Sequence, residues 1–170
     1  MTPDQIYFKN REVAAYRLLD ILPIDNMKLE DWIVLSTSCG GYPIADIIAK
    51  ELNAEVDMIF SKKIFAPSNN DCEIAIITEA EEVLIHEEIV KAFDISLDLI
   101  YEESKILYEN ELSSEVNKFR NGNHLANLNE KNILLIDEGL NTGLTMMACI
   151  KSAIKLGAKS VSVATPLIPT

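Results

Sequence analysis

Residues able to do chemistry gather at two places in this chain, and the denser is Asp137-Glu138-Gly139-Leu140-Asn141-Thr142-Gly143-Leu144-Thr145. Two adjacent carboxylates follow the apolar run Ile133-Leu134-Leu135-Ile136, and a few residues later two threonines enclose a glycine and a leucine. Carboxylates accept hydrogen bonds from sugar hydroxyls. Threonine hydroxyls and the free N–H groups of a starting helix surround a phosphate monoester. The ligand expected from this spacing is a phosphorylated sugar. No Gly-Lys-Ser/Thr follows, so the loop is not a Walker A motif, and the glycines do not match Gly-x-Gly-x-x-Gly; both points disfavour ATP and NAD.

The second place is Cys39-Gly40-Gly41, which follows the apolar, β-branched run 32–37. The chain has only six glycines, and four of them stand at these two turns. Glycine lets backbone N–H groups converge on an anion with no Cβ in the way. Turn formation alone would explain one such site. Two turns at the carboxyl ends of parallel strands favour a bipartite phosphate site, because ligands of open α/β sheets bind at that edge. Lys62 and Lys63 close a further strand candidate; ordinarily a solvated pair, beside this site they become anion ligands.

Cys39 stands at a strand-to-helix junction, where a nucleophilic cysteine is one reading and a spare loop residue the other. A cysteine phosphatase would need an arginine six residues on, and Ala45 is there. Cys39, Cys72 and Cys149 show no Cys-x-x-Cys spacing, so neither a disulfide framework nor a zinc site is indicated. His86 and His124 stand apart from any cysteine pair and read as surface or helix-end residues.

The elements that must position these groups alternate. An amphipathic helix is expected over 10–22, ended by Pro23, then a strand over 32–37 and a helix over 44–52. Strands are expected over 56–60, 73–78 and 83–85, with 66–71 as a turn-rich loop between the first two. Residues 86–120 read as helical with a break at 94–96, where Ser96 can cap. Their acidic run, 87–115, reads as a solvated face. A strand over 132–137, a helix over 142–156 ending at Gly157 and a strand over 160–167 complete the pattern. The fold class is therefore α/β: an open, mostly parallel sheet of about five strands with helices on both faces.

The 170 residues suit one compact domain. With 27 acidic against 15 basic residues the net charge is −12, which argues against nucleic acid as a partner. No apolar run approaches membrane-spanning length, and the N-terminus does not resemble a signal peptide, so a soluble, cytoplasmic protein is expected.

The stretch 133–145 resembles the phosphoribosyl-pyrophosphate signature of type I phosphoribosyltransferases: apolar strand, acid pair, Thr-Gly-x-Thr. Segments 10–19, 39–45, 62–69, 84–88 and 132–169 are similar, in order, to uncharacterised bacterial members, so the resemblance covers nearly the whole chain. It implies that 5-phosphoribosyl-1-pyrophosphate binds with Mg²⁺ and that the phosphoribosyl group passes to a nitrogen acceptor, a nucleobase or related heterocycle, with loss of pyrophosphate. Asp137 and Glu138 would hold the ribose hydroxyls and, directly or through water, the metal. Residues 141–145 would hold the 5′-phosphate, and Cys39, Gly40 and Gly41 the pyrophosphate, with Lys62 or Lys63 reaching it. Asp137, Glu138 and Lys63 are the expected catalytic residues, and a homodimer is a further expectation. The resemblance places the acidic segment 86–120 where relatives carry a mobile loop, and it implies a C-terminally short hood over the acceptor. Relatives carry arginine where Cys39 stands, and purine-salvage members an aspartate where Asn141 stands. These departures favour, as an alternative, a non-catalytic regulatory protein that binds the same ligand.

Overall fold

Pairing begins with two runs too apolar to remain in water. The computed structural model describes residues 8–67 and 69–168. β1 (Trp32–Ser36) and β6 (Asn132–Ile136) lie side by side and parallel, Trp32 opposite Asn132 and Ser36 opposite Ile136. All five residues of β6 are buried, as in sheets covered on both faces. β2 (Glu55–Met58) and β7 (Ser160–Ala164) flank them in the order β2-β1-β6-β7, all parallel.

Side-chain alternation sends Val34, Leu134 and Ile136 to one face, where they meet Ala45, Ile48 and Ala49 of α3 (Tyr42–Leu52). α1 (Arg11–Ile21) packs over α3 through Ala14, Ala15 and Leu18. Asn10 caps α1 by accepting from the Val13 N–H at 2.9 Å, and a short helix α2 (Ile24–Met27) follows Pro23. The opposite residues, Ile33, Leu35, Ile133 and Leu135, pack on Met146, Cys149 and Ala153 of α7 (Leu144–Lys155). Helices therefore cover both faces of the parallel sheet, as the alternating pattern predicts.

The parallel sheet has four strands; the remaining three form a separate antiparallel sheet. β3 (Ser61–Ala66), β4 (Asn69–Thr78) and β5 (Val83–Ile85) build it, with Ile64, Ile74 and Ala75 in a core closed by Val90 of α4 (Glu87–Ala92) and Ile100 of α5 (Leu97–Leu107). Of the expected loop over 66–71, residue 68 lies outside the described residues, while Ala66 ends β3 and 69–71 open β4, so these are strand instead. Ile64 and Ala66 point inward while Lys63 and Phe65 face out, a two-residue alternation hidden by the lysine pair. The helical break at 94–96 is present, with Ser96 accepting from the Asp98 N–H at 3.2 Å. α5 runs through a π-helical turn (Tyr108–Leu112) into α6 (Ser113–Arg120).

Arg120, with 4% of its side chain exposed, joins the two sheets. Its Nε donates to both Asp57 oxygens at 3.1 Å, its Nη groups donate to Glu79 and to the Met58 carbonyl, and its guanidinium lies 5.7 Å from the Phe60 ring centre. Burial alone would lower its pKa, but hydrogen bonds and charge from Glu79, with Asp57, outweigh that and raise it. Removing one partner of such a cluster strands the others, at about 3–5 kcal/mol. Arg120→Ala is therefore expected to lower the unfolding free energy by about that amount in urea titration. A loss under about 1 kcal/mol, the value of an exposed pair, would contradict the assignment.

Candidate functional site

The two glycine-containing turns lie at the same carboxyl edge because their strands are neighbours. Beyond Ser36 and Ile136 the chains stay joined: the Thr37 N–H donates to the Ile136 carbonyl at 2.9 Å. Ser38 Oγ then donates to Asp137 Oδ1 at 2.6 Å, and the same hydroxyl accepts from the Gly41 N–H at 3.0 Å. Asp137 Oδ1 also accepts from the Glu138 N–H at 2.9 Å. One aspartate thus fixes both turns at once. A Cβ on Gly41 would stand 2.9 Å from Ser36 Oγ and 3.1 Å from the Asp137 Cα, so only glycine permits this approach.

A cleft of about 390 Å³ opens above these turns. Residues 137–143, Thr145, Cys39 and Lys63 line it, with Ser38, Phe60 and Glu115 among its other borders. The sequence-derived set is therefore largely brought together, with four exceptions. Gly40 lies beneath the Glu138 carboxylate, which a Cβ there would strike. Gly41 is packed against β6 as described. Leu144 is the first residue of α7, its N–H donating to Thr142 Oγ1 at 3.3 Å. Lys62 turns to Glu115 and Glu111, at 2.6 and 3.2 Å. Its hydrogen bond to Glu115 is the largest influence holding its ammonium above the usual lysine range, with burial opposing.

The helix expected from 142 begins two residues later, because Gly143 takes φ +78° and acts as its cap. In the first turn of α7 the Leu144 N–H is taken by Thr142 Oγ1 and the Met147 N–H by the Gly143 carbonyl, which leaves the N–H groups of Thr145 and Met146 for a ligand. Lys63 is paired with Glu73 at 2.8 Å, and Glu138 with Arg11 at 2.7 Å. Among the described residues no peptide bond is cis, and no group of three or more His, Cys, Asp or Glu could hold a metal unaided. The donor chemistry still suits a hard cation held jointly with a ligand. Both hydrogen bonds to Asp137 fall on Oδ1 and both to Glu138 on Oε2, so a carboxylate oxygen of each remains to face a cation or hydroxyl.

The three cysteines differ. Cys39 is exposed and Cys72 half-buried. Burial first, then the charges of Asp137 and Glu79, pushes the Cys149 thiol up to about 12, which makes it a core residue.

The model for the phosphoribosyl transferase domain matches residues 5–167. The chain belongs to this family. Two Mycobacterium tuberculosis proteins provisionally named phosphoribosyl transferases are 26% identical over 140 residues, 81% of this chain. The chain spans about a third of their length, 31%. The fold is that of type I phosphoribosyltransferases. A Thermus thermophilus protein, TT1426, superposes with a TM-score of 0.74 at 21% identity, over 96% of this chain and 85% of that one. A Staphylococcus aureus hypoxanthine phosphoribosyltransferase superposes with a TM-score of 0.51 at 12% identity, over 92% and 63%.

Several site residues of this phosphoribosyl transferase domain escape sequence reasoning. Ser38 is one serine among three residues of like polarity, and only its distance to Asp137 singles it out. Glu115 sits in the acidic run read as a solvated face, yet it borders the cleft and holds Lys62. Arg11 lies 127 residues from its partner Glu138; the one local signal is a cation at the start of a helix, where the dipole disfavours it. Ser38→Ala removes the hydroxyl that bridges the two turns and is expected to cost about 1–2 kcal/mol in denaturant unfolding. An unchanged midpoint would mean that the turns hold together without it.

Proposed function

We propose that the chain binds 5-phosphoribosyl-1-pyrophosphate with Mg²⁺ and transfers its phosphoribosyl group to a nitrogen of a nucleobase or related heterocycle, releasing pyrophosphate. One observation carries this reading above all. The acid pair stands between two anion-suited turns that touch at one sheet edge, the arrangement needed by a sugar phosphorylated at both ends. Membership in the phosphoribosyl transferase family supports it; a cytoplasmic location is part of the proposal.

In this reading the N–H groups at the start of α7, with Thr142 and Thr145, hold the 5′-phosphate. Asp137 and Glu138 accept from the ribose hydroxyls and orient the ring. The turn 38–41 presents backbone N–H groups to the diphosphate, and Lys63 approaches it from β3. The bond between the anomeric carbon and the diphosphate oxygen breaks, its electron pair leaving with pyrophosphate. The acceptor nitrogen forms the new bond to that carbon, which passes through an oxocarbenium-like state, and the proton it carried leaves to the departing pyrophosphate or to water. Mg²⁺ would supply charge neutralisation at the leaving oxygens, with Asp137 and Glu138 as its protein contacts. No side chain in the cleft is an evident general base, so the residues act by positioning and electrostatics.

Asp137→Asn combined with Glu138→Gln separates a sugar site from a bare phosphate cradle. A carboxylate accepts hydroxyl protons through charge-assisted bonds, about twice as strong as neutral ones. Calorimetry should show ribose 5-phosphate binding weakened by about 1–3 kcal/mol, while inorganic phosphate, relieved of repulsion, binds equally well or better. Parallel losses for the two ligands would remove the sugar assignment.

A further inference from the structure

The turn read as the diphosphate site carries no cation of its own. Residues 36–42 run Ser-Thr-Ser-Cys-Gly-Gly-Tyr, yet a diphosphate brings two to three negative charges into a protein whose net charge is already −12. The cation must come from elsewhere in the fold. Three lie close enough to consider. Lys62 is held by two glutamates with 24% of its side chain exposed; Lys63 is itself 51% exposed, but its partner Glu73 is only 14% exposed, so dividing that pair would strand a mostly buried carboxylate. Arg11 and Glu138 are 56% and 46% exposed, and pairs so open to solvent are worth little. Of the three cations, Arg11 is the one released at least cost.

Its position has no other explanation in the helix it begins. Arg11 is the first residue of α1, behind the Asn10 cap, so its guanidinium stands at the positive end of the helix dipole. What it meets there is Glu138, through Nε at 2.9 Å and Nη2 at 2.7 Å, both to Oε2. The Glu138 carboxylate in turn lies against the Cα of Gly40, in the space a Cβ would need. An anionic group, clamped by a guanidinium, is thus already seated on the diphosphate turn. Glu138 borders both the cleft and a neighbouring recess that Arg11 lines, so this carboxylate alone bridges the guanidinium to the cleft.

We propose that Arg11 is an anion-binding residue of the site, paired with Glu138 when the site is empty and handed to the diphosphate when Glu138 turns to the ribose. The proposal rests on the phosphoribosyl-pyrophosphate reading above and supplies the cation that Cys39 cannot. It makes Glu138 a stand-in for the diphosphate, so entry of the ligand exchanges one anion for another at an unchanged guanidinium. A planar fork suits this exchange, since it grips carboxylate and phosphate alike through two parallel N–H groups.

Calorimetry on the full chain with inorganic pyrophosphate plus Mg²⁺, and separately with ribose 5-phosphate, tests it. Arg11→Ala should weaken pyrophosphate about tenfold or more and leave ribose 5-phosphate within about twofold. Arg11→Lys should fall between, because it keeps the charge and loses the fork. Titrated without Mg²⁺, so that the loss of its metal contact does not enter, Glu138→Gln should tighten pyrophosphate by freeing Arg11, and that gain should vanish when Arg11→Ala is added. Circular dichroism confirms that each variant is folded. Pyrophosphate affinity unchanged in Arg11→Ala, with ribose 5-phosphate still bound, overturns the role of Arg11 and spares the site reading. Equal losses for both ligands in a folded Arg11→Ala protein show a structural prop and overturn it as well. A wild-type chain that binds neither ligand overturns the site reading and this proposal together.

Discussion

The parallel pairing of β1 with β6 is the constraint on which the site depends. These strands are one hundred residues apart in the chain, and each is too apolar to be anything but interior. Once Ser36 lies opposite Ile136, the residues that follow have nowhere to go but alongside one another. The Thr37 N–H and the Ser38 hydroxyl continue the ladder by other means, ending on Ile136 and Asp137. A one-residue slip would turn inward-facing side chains outward and carry Ser38 away from Asp137. The core that buries Val34 and Leu134 on one face and Leu35 and Leu135 on the other therefore sets the geometry of the cleft.

Charge shapes what that cleft can do. In so acidic a chain the cations near the site do not stand idle: Arg11 is held by Glu138, Lys62 by Glu111 and Glu115, and Lys63 by Glu73. An anionic ligand must compete with carboxylates for each of them. The outcome depends on burial, since a half-exposed pair is weak and a buried one is costly to divide. The Arg120 cluster marks the other extreme, where burial and several acids fix the guanidinium permanently and tie the antiparallel sheet to the parallel one.

Much of this was legible in the residues. The strand, acid pair and Thr-Gly-x-Thr sequence could be read because it is local: an apolar run, a turn and a helix start within thirteen positions. The fold class followed from the alternation of strands and helices. What sequence could not supply was partnership over distance. Lys62 and Lys63 look alike as neighbours, yet strand alternation sends Lys63 to the cleft and Lys62 to α6. Residues 66–71 looked like a loop because turn formers dominate them, while the strand pattern lies in Ile64 and Ala66. Arg11, Ser38 and Glu115 acquire meaning only through groups far away in the chain.

A crystal of the chain soaked with 5-phosphoribosyl-1-pyrophosphate and Mg²⁺ tests the central claim most directly. The account requires the 5′-phosphate at the start of α7 beside Thr142 and Thr145, the ribose hydroxyls on Asp137 and Glu138, and the diphosphate over residues 38–41. A ligand bound elsewhere, or lying with its 5′-phosphate on the turn 38–41, would contradict it.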